Sequence, residues 1–447
     1  MTSHLRGDSV KARSLRAALM AVLNVLGNNG LRLISNLILT RLLFPEAFGL
    51  MALVQIFIYG LQMFSDLGIN ASIVQSKRGD DPTFLQTAWT LQVMRGALLW
   101  VVSLILAIPA AALYGEPQLQ HLLPVVALSV IIGGFQPSRV MLASRHLKLE
   151  RLTLIDLAAQ AVAITLMLIA AWWWRSVWAL AFGAVVTALL RTTFQSVFLE
   201  GNRDRFRLDP SATRDILGFG GFIFVSTIAT FAVTMGGRAI LGAYIPTDLL
   251  GIFSIGFMLA ALPELATTQV ARRVLFPLYR IKPPIDSTDN QRSLFRAHRM
   301  VAGLAVTMSI VLAFVGVWLV DALYDTRYAL AGPVVVLVSF ASVPAYAVIG
   351  SQNVLLASGD SRRYFFLQAA MALAIIVLTY VGVTRIGVVG VLLAPALANV
   401  IVYPYRAALT ARYKAWDPVG ELGLMAFGLA TTGSAIWLHW DRISTLL

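Results

Sequence analysis

Long apolar stretches alternate with short polar breaks along the whole chain. About 20 mostly apolar residues suffice for a helix to cross the hydrocarbon core of a bilayer. On that measure the pattern predicts thirteen spans, at 17–40, 48–72, 86–110, 120–143, 155–173, 176–198, 215–241, 249–273, 300–320, 331–356, 364–384, 387–408 and 419–438. The expected fold is all-α and integral to the membrane, with 12–14 transmembrane helices.

The two halves echo each other. Phe44-Pro45-Glu46 with Gly49-Leu50 recurs as Ile245-Pro246-Thr247 with Gly251-Ile252. Leu113-Tyr114 followed by Pro124-Val125-Val126 recurs as Leu323-Tyr324 and Pro333-Val334-Val335, and Val140 to Ser144 recurs as Val354 to Ser358. Matches in one order at nearly one offset indicate an internal repeat. Its unit is six spans, an even number, so both halves enter the membrane with the same polarity. Parallel repeats of this kind are related by an axis along the membrane normal and commonly house a substrate cavity at their interface. The sequence therefore predicts a pseudo-two-fold pair of six-helix lobes around a central cavity, residues 1–200 and 201–410. Residues 411–447 add a further hydrophobic helix.

Composition strengthens the membrane assignment: 58% of the 447 residues are hydrophobic and only 13% are charged, about half the charge of a soluble domain. Cysteine is absent and the five His are scattered. Disulfides and thiolate chemistry are thereby excluded, and no HExxH, GxSxG or P-loop spacing occurs. The net charge of +13 would suit nucleic acid in a soluble chain, but in a membrane protein it follows from the gathering of Lys and Arg on the cytoplasmic side. With the N-terminus inside, 27 of the 35 Lys and Arg fall in inner segments, 6 in outer ones, and Arg32 and Arg95 lie in or beside spans. That asymmetry sets the N-terminus in the cytoplasm. Arg6 to Arg16 precede an apolar run that has no A-x-A cleavage site, so the run reads as a retained first span. Every outer connection is short, which disfavours an integral-membrane enzyme that holds its chemistry in an external loop.

The run from Thr40 to Gln75, TRLLFPEAFGLMALVQIFIYGLQMFSDLGINASIVQ, resembles the amino-terminal signature of the polysaccharide transporter family. That family lies within the multidrug/oligosaccharidyl-lipid/polysaccharide exporter superfamily. Leu113-Tyr114-Gly115, the Arg145 to Arg151 basic segment, Leu217 to Gly220 and Val274 to Pro277 fit the same pattern. The resemblance implies a Wzx-type flippase of the bacterial inner membrane. Such proteins move undecaprenyl-diphosphate-linked repeat units of exopolysaccharide, colanic acid or O-antigen to the periplasmic leaflet by alternating access. It also implies work alongside a polysaccharide polymerase and export machinery. A cation-coupled multidrug or small-molecule exporter on the same fold is the alternative.

Ionisable side chains at bilayer depth are costly and tend to face protein or a water-filled cavity. Arg32 lies near the middle of span 1, with Asn24, Asn28, Ser35 and Asn36 on roughly its helical face. Its guanidinium matches phosphate oxygens in bidentate geometry, which makes Arg32, Asn28 and Asn36 candidates for holding a diphosphate or glycan. The competing reading is a packing residue bonded within the lobe. Arg238, beside Gly236-Gly237 near the outer end of span 7, is a candidate receiver on the exit side, or an arginine that snorkels to the interface. Asp66 in span 2 and Glu264 in span 8 are candidate relays for a coupling H+ or Na+, with a capping or lobe-locking role as the alternative for Asp66. No cofactor or metal is expected. Arg41 and Arg95 read as interfacial anchors and Asp156 as a polar start to span 5. Trp172-Trp173-Trp174 and Trp178 read as an aromatic belt rather than sugar-stacking residues.

Overall fold

The computed structural model describes residues 10–446 except 66, 67, 70, 71, 74, 75, 77, 147 and 148, and among the described residues every regular element is helical. The chain divides into two compact units, Met1–Ile228 and Ala229–Leu447. The first holds α1 (Val10–Leu42), α2 (Pro45–Phe64), α3 (Pro82–Tyr114), α4 (Leu119–Gly134), α5 (Arg139–Arg145), α6 (Leu149–Trp174), α7 (Trp178–Phe198) and the start of α8 (Pro210–Tyr244). The second holds the rest of α8, then α9 (Thr247–Ala260), α10 (Leu262–Ile281), α11 (Thr288–Leu323), α12 (Ala331–Ala347), α13 (Asn353–Ala357), α14 (Ser361–Arg385), α15 (Val388–Ala411), α16 (Pro418–Leu438) and α17 (Trp440–Ile443).

Each of the thirteen predicted stretches contains a helix. Ten segments among the described residues are long and apolar enough to span a membrane, and the bent pair α4–α5 makes eleven. α1 and α8, at 33 and 35 residues, are long enough but are not among these segments. This is a multi-pass membrane protein. Two predicted spans are broken, and a third carries a one-residue interruption at Ala261 inside a segment that runs on from Thr247 to Thr268. α4 and α5 are bent by 64° where Gly133-Gly134 and Pro137 end one helix, and Gln92 Nε2 donates to the freed carbonyls of Gly133 and Gly134 at 3.2 and 3.1 Å. α9 gives way to α10 at Ala261, just before Pro263, and α12 gives way to α13 after Val348. A proline cannot donate to the preceding turn, so such breaks survive at membrane depth only where other groups take up the freed carbonyls.

Helix ends follow local chemistry. Pro82 opens α3 behind Asp81, whose Oδ1 accepts from Thr83 N at 2.9 Å, and Gly115 closes it in the left-handed region at φ 66°. Asp360 and Asp417 cap α14 and α16 in the same way, accepting from Arg363 N and Gly420 N at 3.1 Å each. Such caps satisfy orphan amide donors that a span end would otherwise leave bare.

Close helix approach rests on small residues, as expected where lipid tails remove most of the hydrophobic drive between helices. In the first unit a Cβ on Gly134 would lie 3.3 Å from Val93 Cα, and one on Gly96 would lie 3.0 Å from the Val130 carbonyl, so α3 and α4 touch backbone to backbone. In the second unit a Cβ on Gly382 would come within 2.6 Å of the Gly390 carbonyl carbon, locking α14 against α15. The α16 helix is knitted into this unit. Gly428 sits against Val343 and Val306, and Met425 packs with Tyr403 and Ala407. Large apolar residues such as Ile105, Ile108, Leu373 and Trp173 point outward, a surface that only lipid covers comfortably.

Candidate functional site

In the first unit a polar network crosses three helices. Asp156 on α6 is buried, and four hydrogen bonds converge on its carboxylate. Arg191 on α7 donates through Nε and NH2 at 3.1 Å each, Gln195 Nε2 donates at 2.7 Å, and Asn24 Nδ2 on α1 donates at 3.4 Å. Asn28 donates in turn to the Asn24 side-chain oxygen at 2.7 Å and to the Asn24 carbonyl at 2.9 Å. Gln195, fully buried, accepts from Gln136 at 3.0 Å in the break between α4 and α5. An unpaired carboxylate at this depth would be prohibitively costly, and this one is saturated by donors.

Arg32 stands beside that network. It follows Asn28 by four residues on α1, keeps an exposed surface although protein atoms crowd its guanidinium, and is close enough to Arg191 for the two like charges to repel. Asp156 is bound to Arg191 in the forked geometry. Asp156 thus neutralises Arg191, and the Arg32 charge beside it has no carboxylate in hydrogen-bond contact among the described residues. Such an arrangement attracts an anion, and the planar fork of Arg32 suits paired phosphate oxygens. Asn36 is half-buried one turn further on.

The sequence reading singled out Arg32, Asn28 and Asn36 but missed what organises them. Asp156 is no polar helix start: it lies seven residues into α6 and anchors the network. Arg191 lies inside the predicted stretch 176–198 and is a helical residue of α7. The signal was present in Arg191-x-x-x-Gln195, two polar side chains one turn apart inside an apolar run, but their partner lies 35 residues away. Arg95 is likewise no interfacial anchor. Its Nε donates to Ser65 Oγ at 2.9 Å and its NH2 to the Gln62 carbonyl at 2.6 Å, fastening α3 to the end of α2. Asp66 lies outside the described residues.

A second cluster forms in the other unit. The Arg238 guanidinium on α8 stacks over the Phe257 ring on α9 at 5.0 Å, a favourable cation–π contact. The opposite charges of Arg238 and Glu264 attract one another, and buried Tyr346 on α12 also feels Glu264. By surface area Glu264 and Arg238 are both exposed. The sequence had set these two at opposite ends of neighbouring spans with separate tasks. Long side chains and the interruption at Ala261 bring their charges within reach of each other.

The tryptophans at the end of α6 are outward-facing, with Trp172 and Trp173 strongly exposed. Trp174 meets Phe182 edge-to-face at 5.5 Å, and with Trp178 they edge a shallow apolar cleft that also touches Val125 and Leu128.

Comparison with known proteins matches this architecture. Teichuronic acid biosynthesis protein TuaB of Bacillus subtilis is 20% identical over 315 residues, covering 70% of this chain and 64% of that protein. Lipopolysaccharide biosynthesis protein WzxC of Escherichia coli is 23% identical over 278 residues, covering 62% and 56%. The succinoglycan biosynthesis transport protein ExoT of Rhizobium meliloti is 23% identical over 261 residues, covering 58% and 52%. The chain thus spans less than two thirds of the length of these relatives. Among solved structures, the lipid II flippase MurJ in an inward closed conformation superposes with a TM-score of 0.68 at 11% identity, over 95% of this chain and 92% of that one. An inward-facing multidrug transporter of the MATE family gives 0.66 at 12% identity, over 89% and 99%. These likenesses establish a shared fold. The family model described as polysaccharide biosynthesis protein matches residues 38–333, well over half of the sequence, and the chain belongs to that family.

Proposed function

We propose that this chain is a flippase that carries undecaprenyl-diphosphate-linked polysaccharide repeat units from the cytoplasmic to the periplasmic leaflet of a bacterial inner membrane by alternating access. The observation that carries this reading is the Arg32 charge set beside Arg191, whose own charge is already taken up by Asp156. A diphosphate moved through hydrocarbon would face a desolvation cost far beyond any transport cycle. A fixed, partly hydrated guanidinium pair lowers that cost by replacing water around the phosphate oxygens, while the polyprenyl tail stays in lipid. Membership of the polysaccharide biosynthesis family and the transport role in the name of ExoT support it.

In this account the N-terminus is cytoplasmic, and Arg32 with Asn28 and Asn36 receives the diphosphate. The protein makes and breaks no covalent bond in its cargo. Arg238 and Glu264 form the switch of the second unit. Glu264 holds Arg238 when ionised and releases it on taking up a coupling proton or sodium ion, so the freed guanidinium takes over the departing phosphate. A polymerase and export machinery then consume the delivered units.

The test is genetic and chemical. In a strain lacking the gene, lipid-linked repeat units accumulate on the inner leaflet, and the wild-type gene restores polysaccharide output while the Arg32→Ala gene does not. Normal output from Arg32→Ala, with the protein inserted at wild-type level, overturns the role of this site. Drug hypersensitivity of the deletion strain with unchanged polysaccharide would favour the multidrug exporter instead.

A further inference from the structure

The α11 helix is far longer than a bilayer requires. Its 36 residues extend about 54 Å at 1.5 Å per residue, against a hydrocarbon core of about 30 Å. From Val301 to Val320 it carries no charge, whereas Thr288 to Met300 is rich in arginine. Trp318 is exposed at the far end, where an interfacial aromatic belongs. It lies about 28 Å along the axis from Arg299, which sets the Arg299 level at the opposite interface. By the charge count, that is the cytoplasmic one.

At that level Arg292, Arg296 and Arg299 fall on one stripe of the helix, four and three residues apart. With Phe295 and Met300 they line an open cleft of about 480 Å³. The opposite face of the same helix is occupied, because Leu294, His298 and Val301 are buried in the unit. Arg299 is fixed by Asp417, which accepts from its Nε and NH2 at 2.6 and 2.7 Å. Arg292 meets Asp289 loosely at 3.7 Å, both largely exposed, while Arg296 has no carboxylate partner among the described residues. Three guanidinium groups therefore face two carboxylates. Below them, toward the bilayer, exposed Met300, Leu304 and Val311 continue the outward side of the helix as an apolar strip.

We infer that this flank of α11 is a binding site for an anionic phospholipid of the cytoplasmic leaflet, with the headgroup phosphate on Arg292, Arg296 and Arg299 and an acyl chain along Leu304 and Val311. A cationic cleft that adjoins, through Met300, a lipid-facing apolar strip about 100° round the helix is complementary to a molecule that is negative at its head and oily below. Here the strip faces bulk bilayer, whose phospholipid is its constant neighbour. Basic side chains near a charged membrane surface each add roughly fivefold in affinity. The inference rests on the membrane topology and not on the flippase reading, so transport can fail while lipid binding holds, and the reverse.

The full-length purified protein, titrated with phosphatidylglycerol or phosphatidylcholine of equal chain length and read by native mass spectrometry, tests it. The expected result is a phosphatidylglycerol adduct at least tenfold tighter than phosphatidylcholine, weakened by salt, and reduced about tenfold or more in the Arg292→Gln/Arg296→Gln variant. Both side chains are exposed, so the variant should match wild type in gel filtration and melting temperature. The single Arg296→Glu variant gives the same reading should the double variant fold poorly. Equal binding of the two lipids by wild type, or undiminished phosphatidylglycerol binding by either variant, overturns the inference. So does displacement of that adduct by stoichiometric undecaprenyl diphosphate, which would assign the cleft to cargo.

Discussion

Asp156→Asn keeps the size and shape of the side chain and removes only its charge. The native carboxylate accepts two bonds from Arg191, one from Gln195 and one from Asn24. The amide cannot accept all of these, and its NH2 would face a donor. Removing one partner of a fully buried ion pair costs about 3–5 kcal/mol. The Arg191 side chain is 52% exposed against 6% for Asp156, so water recovers part of that loss and about 2–3 kcal/mol is expected. For a cooperative unit of the size of the first one, 228 residues, the entropy of melting near 60 °C is about 0.5 kcal/mol per degree, and the drop in Tm is about 5 °C. Tryptophan fluorescence of purified protein during a thermal ramp measures it. The double variant Asp156→Asn/Arg191→Gln removes both charges and should recover about half of the loss, an interaction energy of about 1–2 kcal/mol in a double-mutant cycle. A single variant that melts within 1 °C of wild type, or strictly additive losses, would refute the claim that Asp156 neutralises Arg191 and so leaves Arg32 as the spare charge.

Further outcomes follow from the same geometry. Arg32→Lys keeps the charge but loses the planar fork, and should retain partial export; full activity by a polysaccharide-output assay argues against bidentate phosphate recognition. Gly382→Val forces a branched side chain into a 2.6 Å gap at Gly390, and should cost more than about 2 kcal/mol, visible as a large loss of folded protein in gel filtration, whereas Gly423→Ala, with open space around its Cβ, should be silent. The Tyr413 hydroxyl, donating to Asp360 at 2.6 Å, is the main cause holding that carboxyl below the ordinary carboxylate range. A depressed folded pKa stabilises above the unfolded value, near 4, and the benefit disappears as pH falls through the folded one. Melting temperatures at pH 6 and pH 3 should therefore converge more in Asp360→Asn than in wild type, and an unchanged gap would contradict the assignment.

Hydropathy marked thirteen apolar stretches, each of which contains a helix, because crossing a bilayer leaves a long one-dimensional mark in the sequence. It could not show that the stretches at 120–143 and 331–356 are broken, since Gly133-Gly134 and Pro344 also occur in continuous helices. Arg32 was legible as a lone charge in an apolar run. Its setting was not: Asp156 and Asn24 are 132 residues apart in sequence, and nothing local marks them as partners. The same limit hid the Arg299–Asp417 pair, 118 residues apart, which holds α16 to the rest of the second unit. Arg238 and Glu264 were each recognised as unusual at membrane depth, but their pairing needed three dimensions.

The central claim is that the guanidinium pair on α1 and α7 conveys a phosphate headgroup across the bilayer. Reconstituted proteoliposomes loaded with a fluorescent undecaprenyl-diphosphate oligosaccharide, probed with a membrane-impermeant quencher, measure that transfer directly. Wild-type protein should expose the inner-leaflet label within minutes, while an Arg32→Gln/Arg191→Gln variant of normal helicity should match protein-free vesicles. Transfer by that variant at the wild-type rate would contradict the account.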